Sequence, residues 1–279
     1  MRSRDPQEVV HQAQQLVDAG YLEIVLTGIH TGGYGEDLKD YNLAQLLRDI
    51  ETNVKGLKRL RISSIEASQL TDEVIGVLKE SEIVVRHLHI PIQSGSDTVL
   101  RRMRRKYTMA FFAERLERLR EALPDFALTS DVIVGFPGET EEEFMETYEF
   151  IRDHRFAELH VFPYSQRIGT PAARMTDQID EQVKNERVHR LIGLNDQLAK
   201  EYASAYEGQV LEMIPEEPYK EDPESGLYEG YTDNYLKVVV PADESMVGKI
   251  VRVKIKKAGY PYNEGVFVRV LEDNPEPAV

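Results

Sequence analysis

Cysteine is absent from the 279-residue sequence. Disulfides, thiol nucleophiles, Cys-ligated zinc and any iron–sulfur cluster held by this chain's own thiolates are therefore excluded. No apolar run approaches the roughly 18 residues that a membrane span needs, and Arg2, Arg4 and Asp5 near the start are unlike a signal peptide. A cytoplasmic protein with no membrane partner is the default expectation. Basic residues are outnumbered, 34 Lys and Arg against 49 Asp and Glu, for a net charge of −15. That disfavours bulk attraction to nucleic acid and gives no reason to expect DNA; any RNA contact must come from local basic patches. What is present, 41% hydrophobic and 30% charged residues, is the balance of a globular chain with room for one large domain and a small one.

Two hydrophobic periods alternate through the first two hundred residues. Asp5-Pro6 opens a helix, Val9, Val10, Ala13, Leu16 and Val17 recur at helical spacing, and Gly20 stops it. Short apolar strands are expected near 21, 58, 85, 126 and 157, with helices near 42–53, 71–80, 96–103, 108–122 and 140–154 between them, and a long helix over 178–206. Strands separated by single helical stretches signify βαβ units and a parallel sheet. After Gly208 the period changes to short alternating strands, QVLEMI, LYEGYTD, YLKVVV, KIVRVKIK and GVFVRVL, which suggest a small antiparallel barrel of OB-like size. The fold class expected is α/β: a partial (β/α) barrel followed by a small all-β barrel, with the boundary near 207.

In such a barrel, function resides in the loops after the strands. After the first come Thr27, Gly28, Ile29 and His30 with several glycines, which admit close backbone approach to a ligand or simply make a flexible loop. Ser63, Ser64 and Glu66 follow the second; a helix cap explains them equally well. HLHIPIQSGSD places His87 and His89 on one strand face. A His-x-His pair suits a metal, although histidines satisfied within the barrel core are the plainer reading. The fourth strand runs into Val134-Gly135-Phe136-Pro137-Gly138, with Thr140 and Glu143 as a capping box for the next helix. The fifth leads to His160, Phe162, Tyr164 and Arg167.

Two basic patches break the acidic balance: Arg101, Arg102, Arg104, Arg105 and Lys106, and the strand IVRVKIK. In the latter, Val251, Val253 and Ile255 alternate with Arg252, Lys254 and Lys256, giving an apolar inner and a cationic outer face. With Tyr228, Tyr231, Tyr235, Tyr260 and Tyr262 for stacking, that face suits RNA; a lysine-protected edge strand is the other reading.

The loops LTGIHTGGYGED, RISSIEASQLTDEVI, HLHIPIQSGSDTVLRRMRRKYT, TSDVIVGFPGETEEEF and HVFPYSQRIGTPA, in this order, resemble the methylthiotransferase family of radical S-adenosylmethionine (SAM) enzymes. The likeness covers most of residues 1–206, and residues 208–271 look like the RNA-binding TRAM domain that closes these proteins, giving expected domains 1–206 and 207–279. The wording of GIHTGGYG, RISSIE and FPYSQRIGTPA is nearest the subfamily acting on N6-threonylcarbamoyladenosine beside the tRNA anticodon. The neighbouring subfamilies act on isopentenyladenosine in tRNA and on a ribosomal-protein aspartate. The family carries two [4Fe–4S] clusters on cysteines, including a CxxxCxxC loop, that this chain lacks. The expectation is therefore a shortened product beginning just after the cluster loop, with Met1 standing in for the missing half, and inactive by itself.

The resemblance implies S-adenosyl-L-methionine as cofactor, with Thr27, Gly28, Ile29 and His30 near its amino group, Ser63 and Glu66 facing its ribose or carboxylate, Gln93 and Ser94 lining the cavity, and Val134, Gly135 and Phe136 receiving adenine. Tyr164 and Arg105 would border that cavity. Arg105, Arg252, Lys254 and Lys256 are the expected contacts to a tRNA anticodon stem-loop. No catalytic or metal-binding residue of this chain is assigned. A metal-dependent barrel hydrolase built on His87, His89 and Asp131, and a non-catalytic RNA-binding module, stay open as alternatives.

Overall fold

Asp5 accepts hydrogen bonds from the N–H groups of Gln7 and Glu8, and Pro6 sets the first helical φ. The first helix, α1, accordingly runs Pro6–Asp18 in the computed structural model, which describes residues 2–272. Strands β1 (Glu23–Leu26), β2 (Arg59–Ile62), β3 (His87–His89), β4 (Ala127–Val134) and β5 (Glu158–Pro163) then alternate with helices. These are α2 (Leu43–Asn53), α3 (Asp72–Glu80), the pair α4 (Asp97–Arg102) and α5 (Met109–Ala122), and α6 (Glu141–His154). Every pairing among these strands is parallel. Among the described residues no ladder joins β2 to β3, which meet through a bridge between Leu60 and Val84 and the Ile65 N–H donating to the His89 carbonyl, so the barrel wall is built in two pieces.

Period-two alternation separates the two faces of this wall. In β4, Leu128, Ser130, Val132 and Val134 are at most 1% exposed on the helix side, whereas Thr129, Asp131 and Ile133 face the lumen. The core between strands and helices is filled by Leu47, Ile50, Leu60, Leu88, Phe112, Phe144 and Phe156, all at or near complete burial. At the start of α6 the box is present as expected: the Glu143 N–H donates to Thr140 Oγ1 and the Thr140 N–H to Glu143 Oε2.

Helix α7 (Glu181–Ser204) packs against β5 and leads into β6 (Val210–Pro218), β7 (Leu227–Thr232), β8 (Lys237–Pro241), β9 (Ile250–Lys257) and β10 (Asn263–Glu272). These close into a five-stranded barrel, ordered β10-β8-β7-β6-β9, antiparallel except where β8 meets β10. Met213, Val238, Val240, Val251, Val253 and Ile255 fill its interior without exposure. The β9 alternation read from sequence is thus observed, and the α/β class with a small β-barrel is the one the molecule adopts. Residues 273–279 of the expected second domain lie outside the described residues. No helix among the described residues is long and apolar enough to cross a membrane.

The small barrel seats against the amino ends of the parallel strands. Tyr235, at positive φ in the turn before β8, stacks on His87 at 3.8 Å between ring centroids and on Tyr231 at 4.7 Å. Arg61 Nη2 donates to the Thr232 carbonyl, the Tyr260 hydroxyl lies 3.5 Å from Glu158, and Leu22 packs with Ile214 and Ile250. This corrects one expectation: Tyr235 and Tyr260 are spent on the contact between the barrels, and Tyr231 is stacked on Tyr235. Burial of apolar ring area there outweighs leaving the rings in water for a base to stack on.

Candidate active site

The loops after the strands are tied neighbour to neighbour around the rim of the half barrel. The Gln69 side chain, after β2, hydrogen-bonds the His30 ring from the loop after β1, and it fills the space where a Cβ on Gly32 would sit. Glu66 lies 3.8 Å from Arg105, joining the β2 loop to the segment after α4. The Tyr107 hydroxyl donates to the Ile92 carbonyl. Gln93 continues the sheet, its N–H donating to Asp131 O and its carbonyl accepting from Ile133 N–H, at φ 62°. For a residue with a Cβ this left-handed φ is strained, and it sits on the rim.

The β4 loop is held from beneath. Gly135, at φ 70°, donates its N–H to Glu139 Oε2 at 2.6 Å, and Arg187 Nη1 of α7 reaches the same oxygen at 2.7 Å. Both charged side chains are at least 95% buried. Burial pushes the Glu139 carboxyl up, against the pull of the Gly135 N–H and Arg187. A Cβ on Gly135 would come within 2.4 Å of Lys184 Cγ, so only glycine permits this turn. Beside it, Phe136 meets Tyr164 edge-on at 5.2 Å, and the buried Tyr164 hydroxyl has no hydrogen-bond partner.

The expected cofactor residues are divided by this geometry. Thr27, Gly28, Ile29 and His30, with Ser63, Glu66 and Gln93, stand exposed or half-exposed along the rim. Gly135 and Phe136 lie buried in the β4 turn, and Val134 is fully buried on the helix side. Ser94 is fully buried as well, its hydroxyl paired with Thr147 Oγ1 of α6 at 3.2 Å, so this side chain anchors a helix. A cavity of about 800 Å³ opens beside β1 against α1 and α2; of the expected residues only Thr27–His30 border it.

Inside the lumen, a hydrogen-bonded chain crosses three strands. His87 Nε2 lies 3.0 Å from Thr129 Oγ1, which lies 2.9 Å from His89 Nδ1; His89 Nε2 is 3.2 Å from Asp131 Oδ2, and Asp131 Oδ1 is 3.1 Å from His160 Nδ1. Burial, aided by the Arg61 charge, holds His87 well below the usual imidazole range, so it is neutral. At Asp131 burial pushes the carboxyl up, but the hydrogen bonds from His160 and His89 outweigh it and hold the group far below the carboxylate range. The Asp131 bond in turn raises His160. The grouping expected for a hydrolase, His87 with His89 and Asp131, is not assembled: His87 bonds Thr129 and lies under Tyr235, and His160 takes the third place. The ligating atoms of His89, Asp131 and His160 lie within 4.8 Å of one another, close enough for a metal ion.

Sequence reading missed Arg59 and Arg61, which enter the lumen from β2 with 4% and 8% exposure. Glu23 of β1 answers them, accepting from Arg61 Nε at 3.1 Å and Nη2 at 3.3 Å. The alternating KRLRI pattern carried the signal, two arginines on one face of a buried strand.

The expected RNA contacts do not form one patch. Arg105 is on the rim, whereas Arg252, Lys254 and Lys256 lie on the small barrel seated at the other end of the strands. Lys254 pairs across the sheet with Val210 and Val266, both nearly half exposed. Arg252 is 3.5 Å from Glu212, and Lys256 3.9 Å from Glu264.

Residues 1–151 match the model of the Radical SAM superfamily. The chain is 74% identical over 273 residues to threonylcarbamoyladenosine tRNA methylthiotransferase MtaB of Bacillus subtilis (strain 168), covering 98% of this chain and 60% of that protein. It is 40% identical over 268 residues to the tRNA-2-methylthio-N(6)-dimethylallyladenosine synthase of Carboxydothermus hydrogenoformans, covering 96% of this chain and 60% of that one. The chain thus spans about three fifths of the length of these curated relatives. Among solved structures, coproporphyrinogen III oxidase (HemN) from Escherichia coli, a radical SAM enzyme, superposes with a TM-score of 0.52 at 16% identity, covering 92% of this chain and 62% of that one. At that identity the likeness concerns the fold.

Proposed function

The chain belongs to the radical SAM superfamily, and from that premise we propose that it is the carboxyl-terminal portion of a tRNA methylthiotransferase of the cytoplasm. Its substrate is N6-threonylcarbamoyladenosine beside the anticodon, which the whole enzyme converts to the 2-methylthio derivative. The observation that carries this reading is the 74% identity running over 98% of the chain.

The residues present suit one of the family's cofactors and not the other. Polar groups on successive strand ends, the glycine-only turn at Gly135, and the unpartnered Tyr164 hydroxyl beside Phe136 fit a nucleoside bearing an amino acid. Thr27, Gly28, Ile29 and His30, with Ser63, Glu66 and Gln93, would hold the amino-acid and ribose end of S-adenosylmethionine. Gly135 and Phe136 would hold the adenine, and Val134 and Ser94 shape the wall from behind. When bound, this cofactor supplies the radical and the methyl group. A [4Fe–4S] cluster does not fit the chain, since no thiolate exists among its 279 residues. Whatever cluster the reaction uses must be held by other polypeptide. This chain's share is to orient the adenine, to keep water from the lumen, and to fix the imidazoles around Asp131.

The small barrel, as a TRAM-type domain, would grip the RNA backbone with Arg252, Lys254 and Lys256, while Arg105 contacts RNA at the rim. Titrating the purified chain with an anticodon stem-loop at several salt concentrations tests this. Lys254→Ala with Lys256→Ala should lower the slope of log affinity against log salt by about 2. In a parallel calorimetric titration S-adenosylmethionine should bind, and Gly135→Ala should weaken it. An unchanged salt slope removes the RNA assignment, and no cofactor binding removes the pocket.

A further inference from the structure

His160 stands half-exposed in the lumen with its ring oriented by a carboxylate. Arg59 and Arg61 are buried beside Glu23, and His87 is neutral beneath Tyr235. His160 is 45% exposed at the side chain, and its Nδ1 is committed to Asp131 Oδ1. The ring therefore points Nε2 away from Asp131, and Nε2 has no hydrogen-bond partner among the described residues. Asp131 cannot swing to follow another group, because its second oxygen is held by His89, whose Nδ1 rests on Thr129. Two residues along the same face of β5, about 6.6 Å nearer the rim, Phe162 is half exposed. An aromatic face and, one strand step below it, an oriented imidazole donor form a pair of fixed spacing.

N6-threonylcarbamoyladenosine has matching parts: a flat adenine and, on its N6 substituent, an amino acid with a free carboxylate. The N6-dimethylallyl group on which other relatives act is wholly apolar. Resting on the substrate reading above, we infer that His160 receives the threonyl carboxylate through Nε2–H while Phe162 supports the adenine, so that β5 selects the acidic N6 group over an apolar one. Asp131 is a positioning residue: it holds the ring and favours its charged form. A charge-assisted bond from a pre-oriented imidazole to a carboxylate is stronger than a neutral one and is lost when the carboxylate is capped.

The test uses the purified chain and anticodon stem-loops that carry N6-threonylcarbamoyladenosine, its methyl ester, or unmodified adenosine. The acid-bearing loop should bind about tenfold more tightly than the ester, or about 1.4 kcal/mol, and the ¹⁵N signal of His160 Nε2 should move with the acid alone. His160→Ala should bring the acid down to the level of the ester, while His160→Gln, which keeps a donor, recovers part of the preference. Asp131→Asn should shrink the preference and shift the Nδ1/Nε2 tautomer balance of His160 in the same spectra. Equal binding of acid and ester by the unsubstituted chain overturns this inference alone. Binding of the acid no tighter than that of the unmodified loop overturns it together with the substrate reading. One equivalent of zinc retained through dialysis and lost in His160→Ala also overturns it, by making the three side chains a metal site.

Discussion

Replacing Arg187 with Met should uncouple the β4 turn from the helix that supports it. Met keeps much of the arginine's apolar stem, but it loses the guanidinium that lies over Phe144 and leaves the Glu139 carboxylate buried at 3% exposure without its paired cation. Removing one partner of a buried pair costs about 3–5 kcal/mol. At about 2–4 °C per kcal/mol for a chain of this size, the unfolding midpoint at neutral pH should fall by roughly 10 °C. The deficit should depend on pH. Burial already raises the folded-state pKa of Glu139, and losing Arg187 raises it further. A carboxyl whose folded pKa exceeds its unfolded one destabilises the fold once pH climbs past the unfolded value, and the penalty levels off above the folded value. Lowering the pH by about two units from neutral should therefore return up to ~2.7 kcal/mol, at about 1.4 kcal/mol per unit. Circular-dichroism melts at both pH values read this directly, and Glu139→Leu combined with Arg187→Met should recover most of the loss. A single variant that melts within about 2 °C of the parent protein, or whose deficit is the same at both pH values, would show that the β4 turn does not depend on the buried Arg187–Glu139 pair.

Three other outcomes are expected. Tyr235→Ala, which removes the stacking on His87 and Tyr231 and the ring under Arg61, should cost roughly 2–3 kcal/mol and speed proteolytic cleavage between the two barrels; unchanged cleavage counts against the junction described. Gly135→Ala combines φ 70° with a Cβ 2.4 Å from Lys184 Cγ, and should lower the urea midpoint by the equivalent of about 1–2 kcal/mol. Anaerobic iron and sulfide treatment of the chain should yield no stoichiometric four-iron absorbance, since there is no cysteine to hold the cluster; a stable four-iron spectrum would contradict this.

Much of the fold is legible because each element carries its own local code. The switch from a period of 3.6 to one of 2 marks βαβ units, and the Thr140-to-Glu143 box marks the start of α6 within a residue. The lumen is legible only in part. Alternation places His87 and His89 on one face correctly, yet their partners depend on register. Thr129 pairs opposite His89 and takes up both rings, and Asp131 lies opposite His160. No local pattern announces that match. Ser94 reads as a loop hydroxyl facing a ligand, but its partner is Thr147, 53 residues away. Tyr235 and Tyr260 read as stacking platforms because aromatic rings on a small basic barrel suit RNA. Their actual use follows from how two barrels dock, which composition does not encode.

Mass spectrometry of tRNA nucleosides from a strain without the gene encoding this chain tests the proposed substrate. The 2-methylthio derivative of N6-threonylcarbamoyladenosine should vanish and its unmethylthiolated precursor accumulate, with the isopentenyladenosine series untouched. A strain that keeps the derivative at its usual level, or that loses the isopentenyladenosine product instead, would rule out N6-threonylcarbamoyladenosine as the substrate.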